Sequence, residues 1–302
     1  MKPSFIRIAE IWLPNQDHTL LEFGGGLFGE AKDFADATTK SLRFGIGEGL
    51  PGQAWEKGHP ILLKSFDDLH FRRTAAAKSA GLSCAIAIPV FVGGVLKAVA
   101  VLFGGSEDTR AGAIELWHNN ARVTSDMTLV DGYYGTASDS FENLSKDTFL
   151  PRGTGLPGLA WQRGTAVFME NLGESRRFLR GDTAAEAGIT RGLGLPCSAQ
   201  TDDAYVMTLL SAMGTPIVQH LESWSPDASR QQLLRTFGFS ETEGLLTAPS
   251  EAIALDADNP IAKIFRTGVP AISEATSGSV AAMIAMPVVS EGEVTEVLVL
   301  TL

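Results

Sequence analysis

Two arginine-rich segments are the first candidates for binding chemistry in this chain of 302 residues. One reads Asp67-Asp-Leu-His-Phe-Arg-Arg73, and the other reads Glu174-Ser-Arg-Arg-Phe-Leu-Arg-Gly-Asp182. A guanidinium can hold a carboxylate or a phosphate through two parallel hydrogen bonds, and a neighbouring aromatic ring offers a stacking surface. The candidate ligand contacts in these segments are Asp67, His70, Phe71, Arg72, Arg176, Arg177, Phe178 and Arg180.

Each segment also has a purely structural interpretation. In the first, the two aspartates cap a helix, Phe71 fills the core and the arginines stay solvated. In the second, the arginines dock on residues 216–302, where four basic and eleven acidic side chains give a net charge of −7. That docking would occur within the molecule or across an oligomer interface, and the sequence leaves it open beside an anion site.

The two cysteines, Cys84 and Cys197, are the candidate reactive thiols. Cys84 is a further candidate ligand contact, because it belongs to a strand next to the first arginine-rich segment. With His70 it would form a thiol–imidazole pair, or one of the two would bind haem iron, whereas an apolar environment makes a cysteine a small buried hydrophobe. The two thiols occupy different positions relative to the prolines that follow or precede them, which argues against a shared redox mechanism.

Other catalytic and metal-binding patterns are missing from the sequence. We find no cysteine and histidine spacing typical of zinc, no Ser/His/Asp set and no glycine-rich phosphate loop. The run Gly24-Gly25-Gly26 is better explained as a strand bulge or a turn. We therefore expect no catalysis, and the identity of any cofactor stays open.

An internal repeat organises the chain into three copies. The motif Gly49-Leu-Pro-Gly-Gln-Ala-Trp55 returns as Gly155-Leu-Pro-Gly-Leu-Ala-Trp161 and, more weakly, as Asn259-Pro-Ile-Ala-Lys-Ile-Phe265, at separations of 106 and 104 residues. Two further sets of positions recur in the same order, the first at separations of 105 and 107 residues and the second at 107 and 91. They are Glu10-Ile-Trp12, Glu115-Leu-Trp117 and Glu222-Ser-Trp224, then Ile88-Pro89, Leu195-Pro196 and Met286-Pro287.

The local patterns in each copy predict helices and strands in a fixed order. Pro51 near the start and Gly58 at the end delimit a short helix, and residues 71–80 are predicted to form a second helix, the lid, which Gly81 ends. Apolar runs at 82–92, 95–103, 113–117 and 205–210 predict strands, with Gly93-Gly94 as a hairpin turn. The predicted fold class is α+β, with units at 1–107, 108–214 and 215–302, each an antiparallel sheet with helices on one side.

The first unit resembles a GAF domain over residues 5–105. The resemblance rests on Phe44-Gly-Ile-Gly-Glu-Gly-Leu-Pro-Gly-Gln-Ala-Trp55 and on residues 60–63, 71–73, 75–81, 86–90 and 98–103. It implies a six-stranded antiparallel sheet with a pocket beneath loops and a lid helix, as in the profilin-like folds. In the family this pocket serves cyclic nucleotides, tetrapyrroles, haem, small acids, redox signals or no ligand, and the domain is often a dimerisation surface.

The other two copies depart from that pattern. The second unit resembles the family chiefly through residues 155–161 and 178–188. The third is shorter between its aromatic residue and its closing proline, so we expect it to lack the lid helix and to serve structure or docking. The short connections between units leave no space for the long helices that join many sensory relatives, which predicts a compact array.

Composition limits the classes of partner. A net charge of −11 disfavours nucleic acid and anionic membranes, and neither a membrane-spanning stretch nor a signal peptide is present, so a cytoplasmic protein is expected. The leading hypothesis is a non-catalytic sensory or regulatory protein that binds a small, anionic ligand and acts through a separate output protein. The alternatives are a scaffold or homo-oligomer without a ligand and, more weakly, a thiol-dependent redox enzyme.

Overall fold

The first of the three units is a six-stranded antiparallel sheet with helices. The computed structural model describes residues 4–39, 42–68, 71–105, 112–135, 137, 139–175, 177–212, 214–247, 251–273 and 282–302. In unit 1 the elements are β1 (Ile6–Pro14), β2 (Leu20–Leu27), α1 (Lys32–Thr39), β3 (Arg43–Gly45), α2 (Gly49–Lys57), β4 (Ile61–Leu63), α3 (Thr74–Ser79), β5 (Cys84–Val92) and β6 (Val95–Gly104). The strand order is β3-β2-β1-β6-β5-β4.

The second and third units repeat this arrangement. Unit 2 consists of β7 (Gly112–Asn119), β8 (Asp126–Tyr133), α4 (Asp139–Lys146), β9 (Phe149–Pro151), α5 (Gly155–Arg163), β10 (Val167–Met169), α6 (Gly181–Glu186), β11 (Arg191–Cys197) and β12 (Ala204–Ser211). Unit 3 consists of β13 (His220–Pro226), β14 (Gln232–Ser240), β15 (Gly244–Leu245), β16 (Ile253–Ala254), α7 (Pro260–Thr267), β17 (Ala271–Ser273), β18 (Met283–Ser290) and β19 (Glu293–Thr301). The sheet orders are β10-β11-β12-β7-β8-β9 and β15-β14-β13-β19-β18-β17. The predicted α+β class is confirmed.

The repeated glycine motif forms a helix that ends in the same way in each copy. Gly58, Gly164 and Gly268 have φ of 68°, 62° and 69°, a left-handed conformation that glycine adopts without a steric penalty. In α2 the Gly58 amide donates to the Ala54 carbonyl, which closes the last turn. The short helix and its glycine stop are therefore as predicted.

The lid helix is shorter than predicted. Instead of spanning residues 71–80, α3 begins at Thr74, because Phe71 lies in a turn in which its amide donates to the Asp68 carbonyl. The Thr74 hydroxyl donates to the Phe66 carbonyl at 2.6 Å and holds this turn in place. The sequence also gave no sign of α1 and α4, which follow the second strand in units 1 and 2. The lid expected to be missing from unit 3 concerns residues 274–281, which lie outside the described residues.

A bulge interrupts the first strand pair of each unit at the same position. In unit 1, Ile11 pairs with Gly25 and Trp12 with Phe23, so that Gly24 is the extra residue. The shift recurs at Leu116/Trp117 and at Ser223/Trp224. It falls within each Glu-x-Trp motif, and a bulge re-aims the neighbouring side chains. The interpretation of Gly24-Gly25-Gly26 as a bulge is confirmed.

The three sheets bury their other faces against one another in a shared core. The largest apolar cluster takes side chains from all three units, among them Ile86, Leu102, Leu193, Leu209, Ile284 and Leu298. A fully buried side chain of this size contributes roughly 1.5–3 kcal/mol. The apolar back faces of the three sheets are thus covered within the chain. Among the described helices, none is long and apolar enough to span a membrane.

The units also contact one another in a closed cycle through the helix-ending glycines. The Gly58 carbonyl of unit 1 accepts a hydrogen bond from the Gln200 amide of unit 2 at 3.0 Å. The Gly164 carbonyl of unit 2 accepts one from the Thr295 hydroxyl of unit 3 at 2.7 Å. Gly268 of unit 3 lies against Val92 of unit 1, so each glycine rests on the β-hairpin of the next unit.

Replacing Gly268 by alanine tests this cycle. A Cβ there would lie 2.6 Å from Val92 Cγ2, in addition to the strain of φ 69°. We expect Gly268→Ala to lower the free energy of unfolding by about 2–4 kcal/mol in urea titrations, from backbone strain plus overpacking. Gly93→Ala is the matched control, since its φ is 57° and no atom lies within 4 Å of the added Cβ. Equal losses in the two variants would contradict the packing contact.

A buried carboxyl group lies at the junction of units 2 and 3. Glu296 is 1% exposed and accepts hydrogen bonds from the Ala166 amide and the Ser223 hydroxyl. Burial raises the pKa of Glu296 above its ordinary value of 4.5, and these hydrogen bonds only partly oppose the effect. The folded protein therefore binds this proton more tightly than the unfolded chain does.

The raised pKa of Glu296 predicts a pH dependence of stability. Because the folded pKa is the higher one, the contribution of Glu296 is fully present below pH 4.5 and is lost as the pH rises through the folded pKa. We expect Glu296→Gln, which keeps an acceptor for the Ala166 amide and presents an NH2 donor to the Ser223 hydroxyl oxygen, to be more stable than the original chain at pH 7 and to flatten this slope. Glu293→Gln, at an exposed residue of the same strand, should change neither quantity in urea titrations at a series of pH values.

Candidate functional site

A buried ion pair occupies the space between the sheet and the lid of unit 1. Glu10 on β1 and Arg73 before α3 are 0% and 6% exposed. Arg73 Nη2 donates to Glu10 Oε2 at 3.0 Å, and Arg73 Nη1 donates to Glu10 Oε1 and to the Thr38 hydroxyl. The Thr38 hydroxyl and the Trp12 indole N–H also donate hydrogen bonds to the Glu10 carboxylate, at 3.1 and 3.0 Å. The network ties β1, α1 and the lid together.

Aromatic rings enclose the guanidinium of Arg73. Its Cζ lies 4.3 Å from the ring centre of Phe34, 5.4 Å from that of Phe103 and 5.5 Å from that of Phe71. A cation over aromatic faces is stabilised most when it is shielded from water, as it is here. Phe71, a predicted ligand contact, therefore packs on an arginine of its own chain.

Unit 2 has the same network with more hydrogen bonds. Arg180 Nη2 donates to Glu115 Oε2 at 2.9 Å, and Arg180 Nη1 donates to Glu115 Oε1 and to the Ser145 hydroxyl. The same carboxylate accepts hydrogen bonds from Trp117, Tyr134 and Thr208 at 3.0, 3.1 and 2.9 Å. The rings of Trp117, Phe141 and Phe178 surround the guanidinium at 4.9–5.1 Å.

The Glu115 carboxylate stays ionised in this apolar surrounding. Burial alone raises the pKa of Glu115, but the Arg180 charge and the hydrogen bonds from Arg180, Trp117 and Thr208 outweigh it, and the pKa falls below 4.5. The pairing therefore stabilises the fold at neutral pH. This contribution is present above the ordinary carboxyl pKa and is lost as the pH falls through the lower folded value.

Unit 3 keeps the glutamate but takes its arginine from a strand. Arg235 on β14 donates to Glu222 at 2.9 Å, and the Trp224 indole donates at 3.0 Å. His220 Nε2 lies 3.4 Å from the same carboxylate. The hydrogen bond from His220 lowers the pKa of Glu222, burial raises it, and the bonds from Arg235 and Trp224 lower it, to about 2. A paired carboxylate is therefore common to all three units.

The ion pair and its rings leave little space beneath the lid of unit 1. The cavity there measures about 10 Å³ and is lined by residues that include Phe44, Phe71, Arg73 and Phe103. That volume is roughly one water molecule, whereas small-molecule pockets measure about 300–1,000 Å³. In this conformation the chain's own side chains fill the space that the resemblance assigns to a ligand.

The predicted contact residues are dispersed by the fold. Asp67 is exposed and pairs with Lys78 at 2.6 Å, while Arg72 and Arg177 are exposed. Phe178, like Phe71, is buried against the ion pair of its unit. Arg180 is committed to Glu115, within its own unit. His70 and Arg176 lie outside the described residues.

Both cysteines face the shared core of the three sheets. Cys84 lies on the opposite face of its sheet from the lid, so its thiol is separated from the lid by the sheet itself. Burial raises the pKa of the Cys84 thiol far above its usual range and that of Cys197 to about 12. Both groups are neutral thiols at physiological pH, and a neutral thiol is a poor nucleophile.

Sequence reasoning missed the polar centres of the three units. Glu10, Glu115 and Glu222 marked the repeat, but their partners were not assigned. A usable signal was the lid motif Phe-x-Arg, which ends at Arg73 and Arg180, about the same distance after each glutamate. A glutamate inside an apolar strand needs a cation, and this motif supplies one in two of the three copies.

An open cleft of unit 1 lies between α1 and α3. It measures about 720 Å³, within the range of small-molecule sites. Apolar side chains form its floor and charged ones its rim; the floor residues are Ile8, Phe34, Ala76, Ala80 and Leu82, and the rim residues are Arg7, Glu30, Lys32 and Asp33. Gln219 and Leu302 of unit 3 complete the wall. No three His, Cys, Asp or Glu side chains of the described ranges group as a metal site.

The α+β sheets with a lid segment define a GAF-type fold, and a family comparison agrees. Residues 6–126 match the family model described as GAF domain. This match agrees with the resemblance to a GAF domain that the motifs of the first unit predicted. No curated protein matches the chain.

Several solved structures show low similarity to the chain. The A. aeolicus nlh2 GAF domain in an inactive state is 21% identical over 33% of this chain and 59% of its own, with a TM-score of 0.27. The free methionine-R-sulfoxide reductase from Neisseria meningitidis, in complex with its substrate, is 19% identical over 33% and 52%, with 0.26. NreA of Staphylococcus aureus, mutated in its nitrate-binding site, is 18% identical over 37% and 81%, with 0.28. The first two are matched over little more than half of their length, and likenesses this low transfer no activity or ligand.

Removing one partner of the unit 2 ion pair tests its role. Arg180→Met leaves the Glu115 carboxylate buried without a cation, which costs about 3–5 kcal/mol, whereas the double variant Glu115→Gln/Arg180→Met should lose less than the two single changes together. The double variant should also lose less stability when the pH falls below 4.5. Urea titrations measure both effects. Arg177→Met is the exposed control, and a loss equal to that of Arg180→Met would contradict the assignment.

Proposed function

We propose that this chain is a non-catalytic regulatory protein that binds a small molecule in the α1–α3 cleft of its first unit. The observation that carries the proposal is the contrast between this cleft, at about 720 Å³, and the space under the lid, at about 10 Å³. An apolar floor with a few polar groups at the rim is the usual composition of a small-molecule site.

The walls of the cleft favour an amphipathic ligand with an anionic group. Ile8, Phe34 and Leu82 offer contact to an apolar body. Arg7 and Lys32 at the rim are the cations within reach of a carboxylate or a phosphate. Glu30 and Asp33 beside them disfavour ligands with more than one negative charge, because like charges repel.

The polar network beneath the cleft provides a route from binding to a response. Thr38 belongs to α1 and Arg73 directly precedes α3, and both bond to Glu10 on β1. A ligand that separates the two helices strains these bonds and shifts the lid, whereas one that bridges the helices stabilises them. A separate output protein would read that change, and Gln219 and Leu302 in the wall extend it to unit 3.

Two features support a non-catalytic role. The thiols are buried and neutral, and the buried carboxylates Glu10 and Glu115 are fully engaged with arginines. A general acid or base needs a proton that it can exchange with a substrate, and an ion pair sealed beneath a lid does not offer one.

Filling the cleft tests the proposal. We expect native mass spectrometry to show a retained small molecule, or indole-3-acetate or decanoate to raise the melting temperature. Ala80→Trp, which places an indole in the cleft, should abolish the effect. Ala187→Trp makes the same change at the end of α6 in unit 2, where the effect should persist. If neither a retained molecule nor a shift is seen, or if both variants still bind, the assignment of the cleft is wrong.

A scaffold without a ligand is the second candidate, favoured by the filled space beneath the lid. In that case the function resides in the surfaces between the units. A ligand-binding protein and a scaffold are both able to form oligomers. Light scattering after size-exclusion chromatography therefore distinguishes these two functions only in combination with the ligand test. A chain that binds none of the probes and forms a stable oligomer supports the scaffold.

A further inference from the structure

The hairpin of unit 2 departs from those of the other two units. In units 1 and 3 the hairpin strands turn through two residues, Gly93-Gly94 and Glu291-Gly292. In unit 2 the pairing stops at Cys197 and Tyr205, although the chain is equally long there, and residues 198–203 form an open loop. The sequence Ser-Ala-Gln-Thr-Asp-Asp has no alternation of apolar residues to continue the ladder.

Hydrogen bonds fix this loop against unit 1. The Ser198 hydroxyl donates to the Pro89 carbonyl and accepts from the Phe91 amide, both at 2.9 Å. The Gln200 amide donates to the Gly58 carbonyl at 3.0 Å. The loop is therefore held in place by backbone groups of a neighbouring unit, in a conformation that the other two hairpins do not adopt.

A cavity of about 560 Å³ lies where the open loop meets the hairpins of the other units. All three units contribute to its wall. Unit 1 supplies Phe91 and Gly94, unit 3 supplies Val289, Ser290, Glu291 and Gly292, and unit 2 supplies most of the remainder, including Asn119, Arg152, Trp161 and Tyr205. Junctions between folded units are common places for small-molecule sites.

The polar groups of this wall suit a cation. Asp202, Asp203 and Glu291 place three carboxylates in the cavity wall, and Arg152 is the guanidinium among the lining residues. His118 Nε2 lies 3.4 Å from Asp203 Oδ2. Arg152 Cζ lies 5.4 Å from the ring centre of Trp161, so the ring already accommodates a positive charge. The rings of Phe91 and Tyr205 also lie in the wall, where Phe91 is 2% exposed and Tyr205 is stacked between His59 and His118.

An acceptor in the cavity wall independently points to a donor ligand. Asn119 is 2% exposed and lines the cavity. Its Nδ2 donates to the Thr124 and Asp126 carbonyls at 3.0 and 2.8 Å, which fixes the amide and leaves Oδ1 as the acceptor. No donor to Oδ1 is found in the described part of the chain. The repeat places prolines, Pro14 and Pro226, at the equivalent positions, so the acceptor is specific to unit 2.

We propose that this cavity binds an organic cation, a protonated amine or a guanidinium carried on an aromatic or aliphatic body. The positive group lies among the carboxylates of the open loop and the Glu291 side chain and donates to Asn119 Oδ1. The apolar body packs on the Trp161 ring. This site is separate from the α1–α3 cleft and does not depend on its occupancy.

Three probes with one body and different charges test the proposal. Tyramine carries a protonated amine, 4-(2-hydroxyethyl)phenol is neutral, and 4-hydroxyphenylacetate is an anion. Isothermal titration at low salt should show binding of tyramine, about tenfold weaker binding of the alcohol and none of the anion, and the tyramine affinity should fall as salt is added. Equal binding of the three probes would overturn the proposal.

Substitutions separate this site from general attraction to an acidic protein. Asp202→Asn/Asp203→Asn should weaken tyramine binding about tenfold, whereas Asp256→Asn/Asp258→Asn, an exposed pair in unit 3, should leave it unchanged. Arg152→Ala should strengthen binding, because it removes the cation that competes for the Trp161 ring. Equal weakening in the two aspartate variants, or no change in any of the three, would refute the cavity as the site.

Discussion

The paired glutamate on the first strand of each unit is the interaction on which the other features depend. An ionised carboxylate enclosed by sheet and helices is tolerated when a cation and hydrogen-bond donors surround it. Glu10 and Glu115 obtain the cation from the lid, which binds the lid to the sheet. Glu222 obtains it from Arg235 on the neighbouring strand, so the third sheet keeps its carboxylate paired without a lid arginine.

Pairing within each unit determines where a ligand has space to bind. The arginine, the glutamate and their aromatic rings fill the layer under the lid, and open volume remains between elements that are not joined by the pair. The shared core determines in a similar way how the three units assemble. Because the back faces of the three sheets cover one another, their apolar surface is buried inside one chain.

Local features could be read from the sequence because local chemistry decides them. A glycine that must adopt positive φ, such as Gly58, marks the end of a helix in any context, and the period of the motif exposed the three units. The pairing of Glu10 with Arg73 joins residues far apart in sequence, and α1 is a short polar segment whose helix depends on packing by Phe34. Neither the ion pair nor the cyclic contact between units has a local signature.

The three units derive from one repeat, so the positions at which they differ can be compared directly. The core positions must stay similar for the sheets to pack, so divergence is concentrated where units meet. One such position, opposite the first residue after the closing proline, holds Ala98, Tyr205 and Glu296 in the three units. Ala98 is inert, Tyr205 is stacked between His59 and His118 at 4.7 and 4.6 Å, and Glu296 is a buried carboxyl group that binds the Ala166 amide. The same position thus carries three side chains of different chemistry in the three units. A homotrimer of identical chains cannot have this asymmetry.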